Sequence, residues 1–236
     1  MHKKDGEKML DITTTATIRP ELFRKTLKSF TENLFINKKE YRLILNVDPI
    51  GDDVDPMEVV KVGQQFFDNV IYNIPEEPNF AQACKWCWGE TSSEFIFHLE
   101  DDWVLKRAIN VGEIISLFCH ENLMGVRLTK NEINTLTQEE KKNKFIKNRK
   151  LVLNPIFYRG DFIRDISMKM DVENNPEKQL RRKYKLPKDK FIGIYCGLGL
   201  GHYGSGRVVS HLGRKWQKQS NYRKRKGSNF ITWDKK

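Results

Sequence analysis

Residues Glu94 to Trp103 read EFIFHLEDDW, an apolar run that ends in three consecutive carboxylates, Glu100, Asp101 and Asp102. Aromatic and β-branched residues in a short stretch closed by a charge cluster predict a buried strand. Adjacent carboxylates repel, so three at a strand end are costly unless solvent or a cation relieves them. A solvated acidic turn is one reading. It leaves unexplained why an apolar strand delivers the carboxylates and why Trp103 follows them. The other reading is a divalent-cation site, since Mg²⁺ takes one or two carboxylates and completes its shell with phosphate and water.

Toward the N-terminus the chain alternates strands and helices. Leu10–Ile18 (LDITTTATI) is a β-branched strand, and Glu21–Phe30 places Leu22, Phe23, Leu27 and Phe30 on one helical face behind Pro20, a residue suited to a first turn. Tyr41–Val47 (YRLILNV) predicts a buried strand closed by Asp48-Pro49, Met57–Asn69 a helix, Val70–Ile74 a strand and Asn79–Trp88 a helix. This alternation predicts a mostly parallel sheet with helices on its faces, and such sheets bind ligands at the carboxyl ends of their strands. Thr14–Arg19, Asp48 and Glu100–Asp102 fall at those ends.

Toward the C-terminus the pattern is less regular. Val111–Phe118 reads as a helix, Met124–Leu128 as a strand, Thr135–Lys150 as a loop or exposed helix, Leu151–Tyr158 as a strand or strand pair, and Asp161–Lys169 as a helix. No internal repeat is present.

The 236 residues suit one large domain, or a domain with a tail, and an aromatic content of 11% argues against wholesale disorder. The longest apolar stretch, Phe191–Leu200, is too short to span a bilayer, and the opening MHKKDGEKML lacks the apolar core of a secretory signal. Four cysteines do not make a disulfide framework, so reduced thiols in a cytoplasm are expected. Charge divides the chain: residues 1–140 carry 16 Lys and Arg against 24 Asp and Glu, residues 141–236 carry 26 against 7. The basic half either faces an anionic partner or is simply solvated.

TTTATIRPELFRKTLKSF, LILNVDPIGDD, NFAQACKWCWG and FIFHLEDDW, in that order and spacing, resemble the successive blocks of GT-A glycosyltransferases. The resemblance covers roughly residues 10–175, with weaker echoes to Trp216, and is strongest to small family-2-like enzymes often encoded by phages. It implies an α/β fold of GT-A type: a mostly parallel mixed sheet flanked by helices in a Rossmann-like nucleotide-sugar-binding domain. That domain would fill residues 1–213, with a nucleotide-sugar half at about 10–110 and an acceptor half at about 111–213, and 214–236 would form a basic tail. The acidic run becomes a DXD-type motif, with Asp102 the direct Mn²⁺ or Mg²⁺ ligand assisted by Glu100 and Asp101. Thr15, Arg19 and Asp48 would contact the nucleotide, and Asn79 and Ala83 match an N-x-x-x-A helix beside the donor. His211-Leu212-Gly213 resembles the C-terminal His-x-Gly that completes metal coordination, although a lone His is more often structural.

The family also places an acidic residue at the start of a late helix. MDVENNPEKQL supplies Asp171, Glu173 and Glu177, with Asn175 as N-cap, Pro176 at the first helical position and Glu177 in the first turn. Glu177, then Glu173, is the candidate base of an inverting transfer; complementing the helix dipole is the plainer reading.

Other motifs carry less. Gly199-x-Gly201-x-x-Gly204 has the spacing of a dinucleotide fingerprint but no βαβ unit around it; the loop, flanked by His202, can still close over phosphate. Cys84-x-x-Cys87 lies in a helical pattern with Trp86 and Trp88, which favours core packing over zinc. Residues 214–236 hold nine basic residues and one acidic, interleaved with Trp216, Tyr222, Phe230 and Trp233. Arg214, Lys215, Arg223, Lys224, Arg225 and Lys226 could neutralise nucleic-acid phosphates while the aromatics stack on bases, or the tail folds back over the domain, anchored by its aromatics.

The expected function is metal-dependent transfer of a sugar from a nucleotide-sugar, a UDP-sugar first, to a hydroxyl, with a hydroxylated DNA base as one acceptor. A glycan or lipopolysaccharide acceptor, and a non-catalytic nucleic-acid-binding module on a degenerate transferase fold, are the alternatives. The expected location is the cytoplasm, that of the host for a phage protein.

Overall fold

The computed structural model describes residues 10–36, 40–131, 136–196, 208–213 and 216, and the backbone of 222–226 and 231–235. The first strand, β1 (Leu10–Ile18), runs into α1 (Pro20–Asn33), whose Pro20 sits at the first helical positions. Next come β2 (Tyr41–Gly51), α2 (Met57–Phe66), β3 (Asn69–Asn73), α3 (Phe80–Gly89), β4 (Phe95–Glu100) and the short β5 (Trp103–Leu105). The rest of the domain comprises α4 (Val111–Ser116), β6 (Leu123–Arg127), α5 (Gln138–Asn143), β7 (Phe145–Asn148), β8 (Ile156–Arg159), α6 (Gly160–Met168), α7 (Pro176–Arg182), β9 (Phe191–Tyr195) and β10 (Val209–His211). Beyond it, β11 (Tyr222–Lys226) and β12 (Ile231–Lys235) pair antiparallel with each other.

One eight-stranded sheet runs in the order β3-β2-β1-β4-β8-β6-β9-β7. Its first four strands are parallel, β8 is antiparallel to both β4 and β6, and β7 is antiparallel to β9. The sheet is therefore mixed, as the resemblance implied. After β3 the chain returns to the other side of β1 to lay down β4, so strand order reverses between β1 and β4. A crevice opens at such a point, beyond the carboxyl ends of the strands.

The helices sit on the sheet by their apolar stripes. Phe23, Leu27 and Phe30 of α1 are buried with Leu43, Leu45, Phe97 and Leu99, whereas Ala81, Cys84, Cys87 and Trp88 of α3 are buried with Ile44, Ile96 and Tyr158 on the other face. Strand alternation divides the residues of β2 and β4 between these two cores.

Three segments depart from the sequence reading. Of Leu151–Tyr158, Ile156–Tyr158 is strand while 151–155 is irregular; the Tyr158 hydroxyl donates to the Val152 carbonyl at 2.8 Å, which lets apolar residues be buried without a ladder. Thr135–Lys150 holds the exposed helix α5, opened by a Thr137/Glu140 capping box, but also the strand β7, where the sequence predicts none. The helix expected over Met57–Asn69 stops at Phe66, because residues from Asn69 onward pair with β2.

Candidate active site

Thr15, Thr17 and Arg19 stand at the carboxyl end of β1, and Thr15 lies in register with Glu100 on one side and Asn46 on the other. The chain turns sharply after Glu100, and the two carboxylates in the turn meet different surroundings. Asp101 is 2% exposed. It accepts from the Thr17 backbone N–H at 3.0 Å, the Thr17 hydroxyl at 3.3 Å and Arg19 Nε at 3.1 Å, and its other oxygen accepts from Arg19 Nη2. The Thr26 hydroxyl in α1 donates to the Asp101 carbonyl at 2.8 Å. Both oxygens of this carboxylate are thus engaged within the protein, a charge-assisted fork of the kind that makes buried ion pairs tolerable.

Asp102 points the other way. Its Oδ1 lies 3.2 Å from Nε2 of His211, and Arg19 Nη2 reaches its Oδ2 at 3.5 Å. Antiparallel pairing of β10 with β5 puts His211 opposite Trp103, and the Leu212 N–H donates to the Asp102 carbonyl at 2.7 Å. Gly213 is required here: a Cβ at that position would overlap Asp102 Oδ2. His211 meets the Trp103 ring edge-on at 4.9 Å, and Trp103 Nε1 donates to Glu100 Oε2 at 3.0 Å. Burial, then the charge of Asp102, pushes the Glu100 carboxyl up to about 8.

Asp48 at the end of β2 is buried, and burial pushes its carboxyl up to about 6 against a hydrogen bond from Asn46. A relay holds it: Asn73 Nδ2 donates to Asn46 Oδ1 at 2.7 Å and Asn46 Nδ2 to Asp48 Oδ1 at 2.9 Å. The sequence reading missed Asn46 and Asn73; an amide inside the apolar run YRLILNV, two residues before Asp48 and so on its face, was the available signal. Asn79 caps α3, accepting from the Gln82 N–H at 2.9 Å, and donates to the Val172 carbonyl at 3.2 Å. Ala83 is buried one turn on.

Residues 170–175 form a loop organised by Asp171, which accepts from the Glu173 N–H at 2.9 Å and from Asn174 Nδ2 at 2.6 Å. The Glu173 N–H and then Asn174 hold the Asp171 carboxyl below its ordinary value. Asn175 caps α7 with Pro176 at its start, as its sequence predicts. Glu177 is exposed in the first turn of α7, and its charge is among the smaller ones that raise Glu100 and Cys84. Glu173 is exposed in the loop and does not figure in either shift.

Under the site, Trp88 Nε1 donates to His98 Nδ1 at 3.2 Å, with the Thr13 hydroxyl 3.1 Å away. Because the indole is donor only, Nδ1 accepts and the proton sits on Nε2; burial drives the imidazole down to about 3 and keeps it neutral. Cys84 and Cys87 are free and fully buried, and burial raises both thiols, the state expected of core cysteines. His202 and the loop at 197–206, Arg214 and Lys215 lie outside the described residues, as do the side chains of Arg223, Lys224, Arg225 and Lys226. Among the described residues no group of three or more His, Cys, Asp and Glu is disposed to hold a metal alone, and no helix is long and apolar enough to cross a membrane.

Solved structures with the same architecture fix the fold. S. aureus TarS, residues 1–349, aligns over 88% of this chain and 62% of its own, with a TM-score of 0.57 and 13% identity. The fold is GT-A. The same TarS fragment in complex with UDP-GlcNAc aligns over 85% of this chain and 60% of its own, with a TM-score of 0.56 and 15% identity. The mannosyltransferase PcManGT from Pyrobaculum calidifontis, in complex with GDP-Man and Mn²⁺, aligns over 81% and 58%, with a TM-score of 0.53 and 9% identity. This GT-A chain thus spans about three fifths of the solved chains it matches. No family model matches its sequence, and no curated protein matches it.

Proposed function

We propose that this chain is a glycosyltransferase that moves a sugar from a nucleotide-sugar to an acceptor hydroxyl, with a divalent cation and inversion at the transferred carbon. The observation that carries the reading is the meeting of Asp102 with His211, Oδ1 to Nε2 3.2 Å, where strand order reverses. A carboxylate oxygen suits Mn²⁺ or Mg²⁺, and an imidazole nitrogen beside it favours Mn²⁺ over the harder Mg²⁺. Two protein donors are enough for a cation shared with its substrate, although too few for a self-contained metal centre. Asp102 and His211 would hold the cation, with Glu100 beside them; when bound it supplies Lewis acidity to the departing diphosphate.

The chain's own groups do the rest. Arg19 neutralises Asp101 and part of Asp102, so the turn can keep its shape beside a second anion. The buried Thr15 hydroxyl has no hydrogen-bond partner among the described residues, which suits a group reserved for ligand. Asp48, fixed by the Asn73–Asn46 relay, and the start of α3 at Asn79 and Ala83 line the nucleotide side. Glu177 accepts the proton of the acceptor hydroxyl as its oxygen bonds to the anomeric carbon and the bond from that carbon to the diphosphate oxygen breaks. The complexes of TarS with UDP-GlcNAc and of PcManGT with GDP-Man make UDP- and GDP-sugars the first donors to try. A nucleic-acid acceptor and the non-catalytic binding module both rest on Arg214, Lys215 and Arg223–Lys226, and nothing among the described residues favours either.

The test is nucleoside diphosphate release from a panel of UDP- and GDP-sugars with Mn²⁺, with and without EDTA. Release that EDTA stops is the expected result; a protein that neither binds nor turns over any donor would overturn the reading. In Glu177→Gln, turnover should fall roughly 10²-fold or more with donor affinity kept, since a base acts only on the chemical step.

A further inference from the structure

Of the aromatic residues in the basic C-terminal end, Trp216 is the one whose side chain is described, and it does not lie out in solvent. Its ring covers the guanidinium of Arg19, with the Arg19 carbon 4.7 Å from the ring centroid. Arg19 is 6% exposed although it carries a full charge. The edge of that guanidinium forks onto Asp101 and reaches Asp102, so one flat face is left for the indole, the arrangement in which a cation and a π face attract. Five residues earlier the same segment delivers His211 to Asp102.

The segment therefore grips the acidic turn at two points, His211 on Asp102 and Trp216 on Arg19. Between them the Leu212 N–H holds the Asp102 carbonyl and Gly213 lets the backbone approach the Asp102 carboxylate. The first grip is screened on one side only: the Asp102 carboxylate is buried, but the side chain of His211 that meets it is 34% exposed. We propose that Trp216 is a positioning residue of the donor site: by stacking on Arg19 it anchors the C-terminal segment and holds His211 where it joins Asp102 in binding the cation. This rests on the transferase reading above. It gives the first aromatic of the basic end work inside the active site rather than on an acceptor.

A ring on a desolvated guanidinium contributes enough to change a coupled equilibrium roughly ten-fold, whereas an aliphatic side chain of similar bulk keeps the apolar cover and loses the attraction. The experiment measures Mn²⁺ affinity by calorimetry, in the presence of UDP, for the wild type, Trp216→Phe, Trp216→Leu, His211→Ala and the double variant Trp216→Leu/His211→Ala, with a melting curve for each. Trp216→Leu should bind Mn²⁺ roughly ten-fold more weakly, and Trp216→Phe within about three-fold of the wild type. In the His211→Ala background Trp216→Leu should cost nothing further, because a residue that acts through His211 has no effect once His211 is gone. Wild-type affinity in Trp216→Leu, or equal losses with and without His211, would overturn the inference and leave the transferase reading standing. Absence of Mn²⁺ binding by the folded wild type would overturn both.

Discussion

The two sides of the turn after β4 are built on opposite plans. On the β1 side, Asp101 is enclosed by Thr17 and Arg19 and its charge is spent within the fold. On the β10 side, buried Asp102 meets the half-exposed imidazole of His211 and a glycine that makes room for its carboxylate. Adjacent residues of identical chemistry thus have different surroundings, and what separates them is which neighbouring strand each one faces; on the proposed reading the first braces the fold and the second takes ligand. A buried carboxylate whose partners are all internal is a brace. One left with an exposed, weakly held partner at a crevice can exchange that partner for a ligand.

The contrast breaks most sharply under substitution of each carboxylate in turn. On the proposed reading, Asp102→Ala should lower Mn²⁺-dependent donor turnover by roughly 10³-fold, since the carboxylate would hold the cation that offsets the charge developing on the leaving diphosphate. Its melting temperature should stay near that of the wild type; full turnover in this variant would erase the distinction. Asp101→Ala should instead show its effect in stability. It leaves the Arg19 guanidinium buried without its main partner, at a cost of about 3–5 kcal/mol, read as a fall in the urea midpoint. An unchanged midpoint would mean that Asp101 is no brace.

Asp48 sharpens the comparison through pH. Its carboxyl is raised to about 6 by burial, so the folded state keeps a proton that the unfolded chain gives up near pH 4. Stability should therefore fall as pH rises from about 4 to about 6 and level off above, by about 3 kcal/mol for this group. Asp48→Asn should remove that slope and raise stability at pH 7 while weakening donor binding, the signature of a residue held for function at a structural cost. A variant that keeps the slope would assign it to another group. The smallest effect is expected at the far wall: Asn175→Ala deletes the cap of α7 and should cost about 1 kcal/mol, with a matching loss of turnover wherever Glu177 depends on that first turn.

Much of this was legible in the chain itself. Local composition was enough for β1, α1 and the start of α7, because Pro20, Asn175 and Pro176 act on their own neighbours through caps and missing N–H groups. The EFIFHLEDDW stretch announced a strand that ends in charge, and the order of blocks announced a GT-A fold. Irregular but buried segments such as 151–155 were misread as strand, since apolarity reports burial and says nothing of hydrogen bonding. The Asn73–Asn46–Asp48 relay was hidden for a related reason: its members lie on different strands, and register decides that they touch.

By itself the sequence determined the order of strands and helices through β4 and that carboxylates stand near the ends of β2 and β4, because alternation and turn chemistry are local properties of a chain. Tertiary structure alone decided what each carboxylate does. Asp101 and Asp102 are indistinguishable in the string; β1 brings Arg19 to the first, and β10, more than one hundred residues away, brings His211 to the second. A charge takes its role from the groups that surround it in space, and those come from chain segments that no local pattern connects.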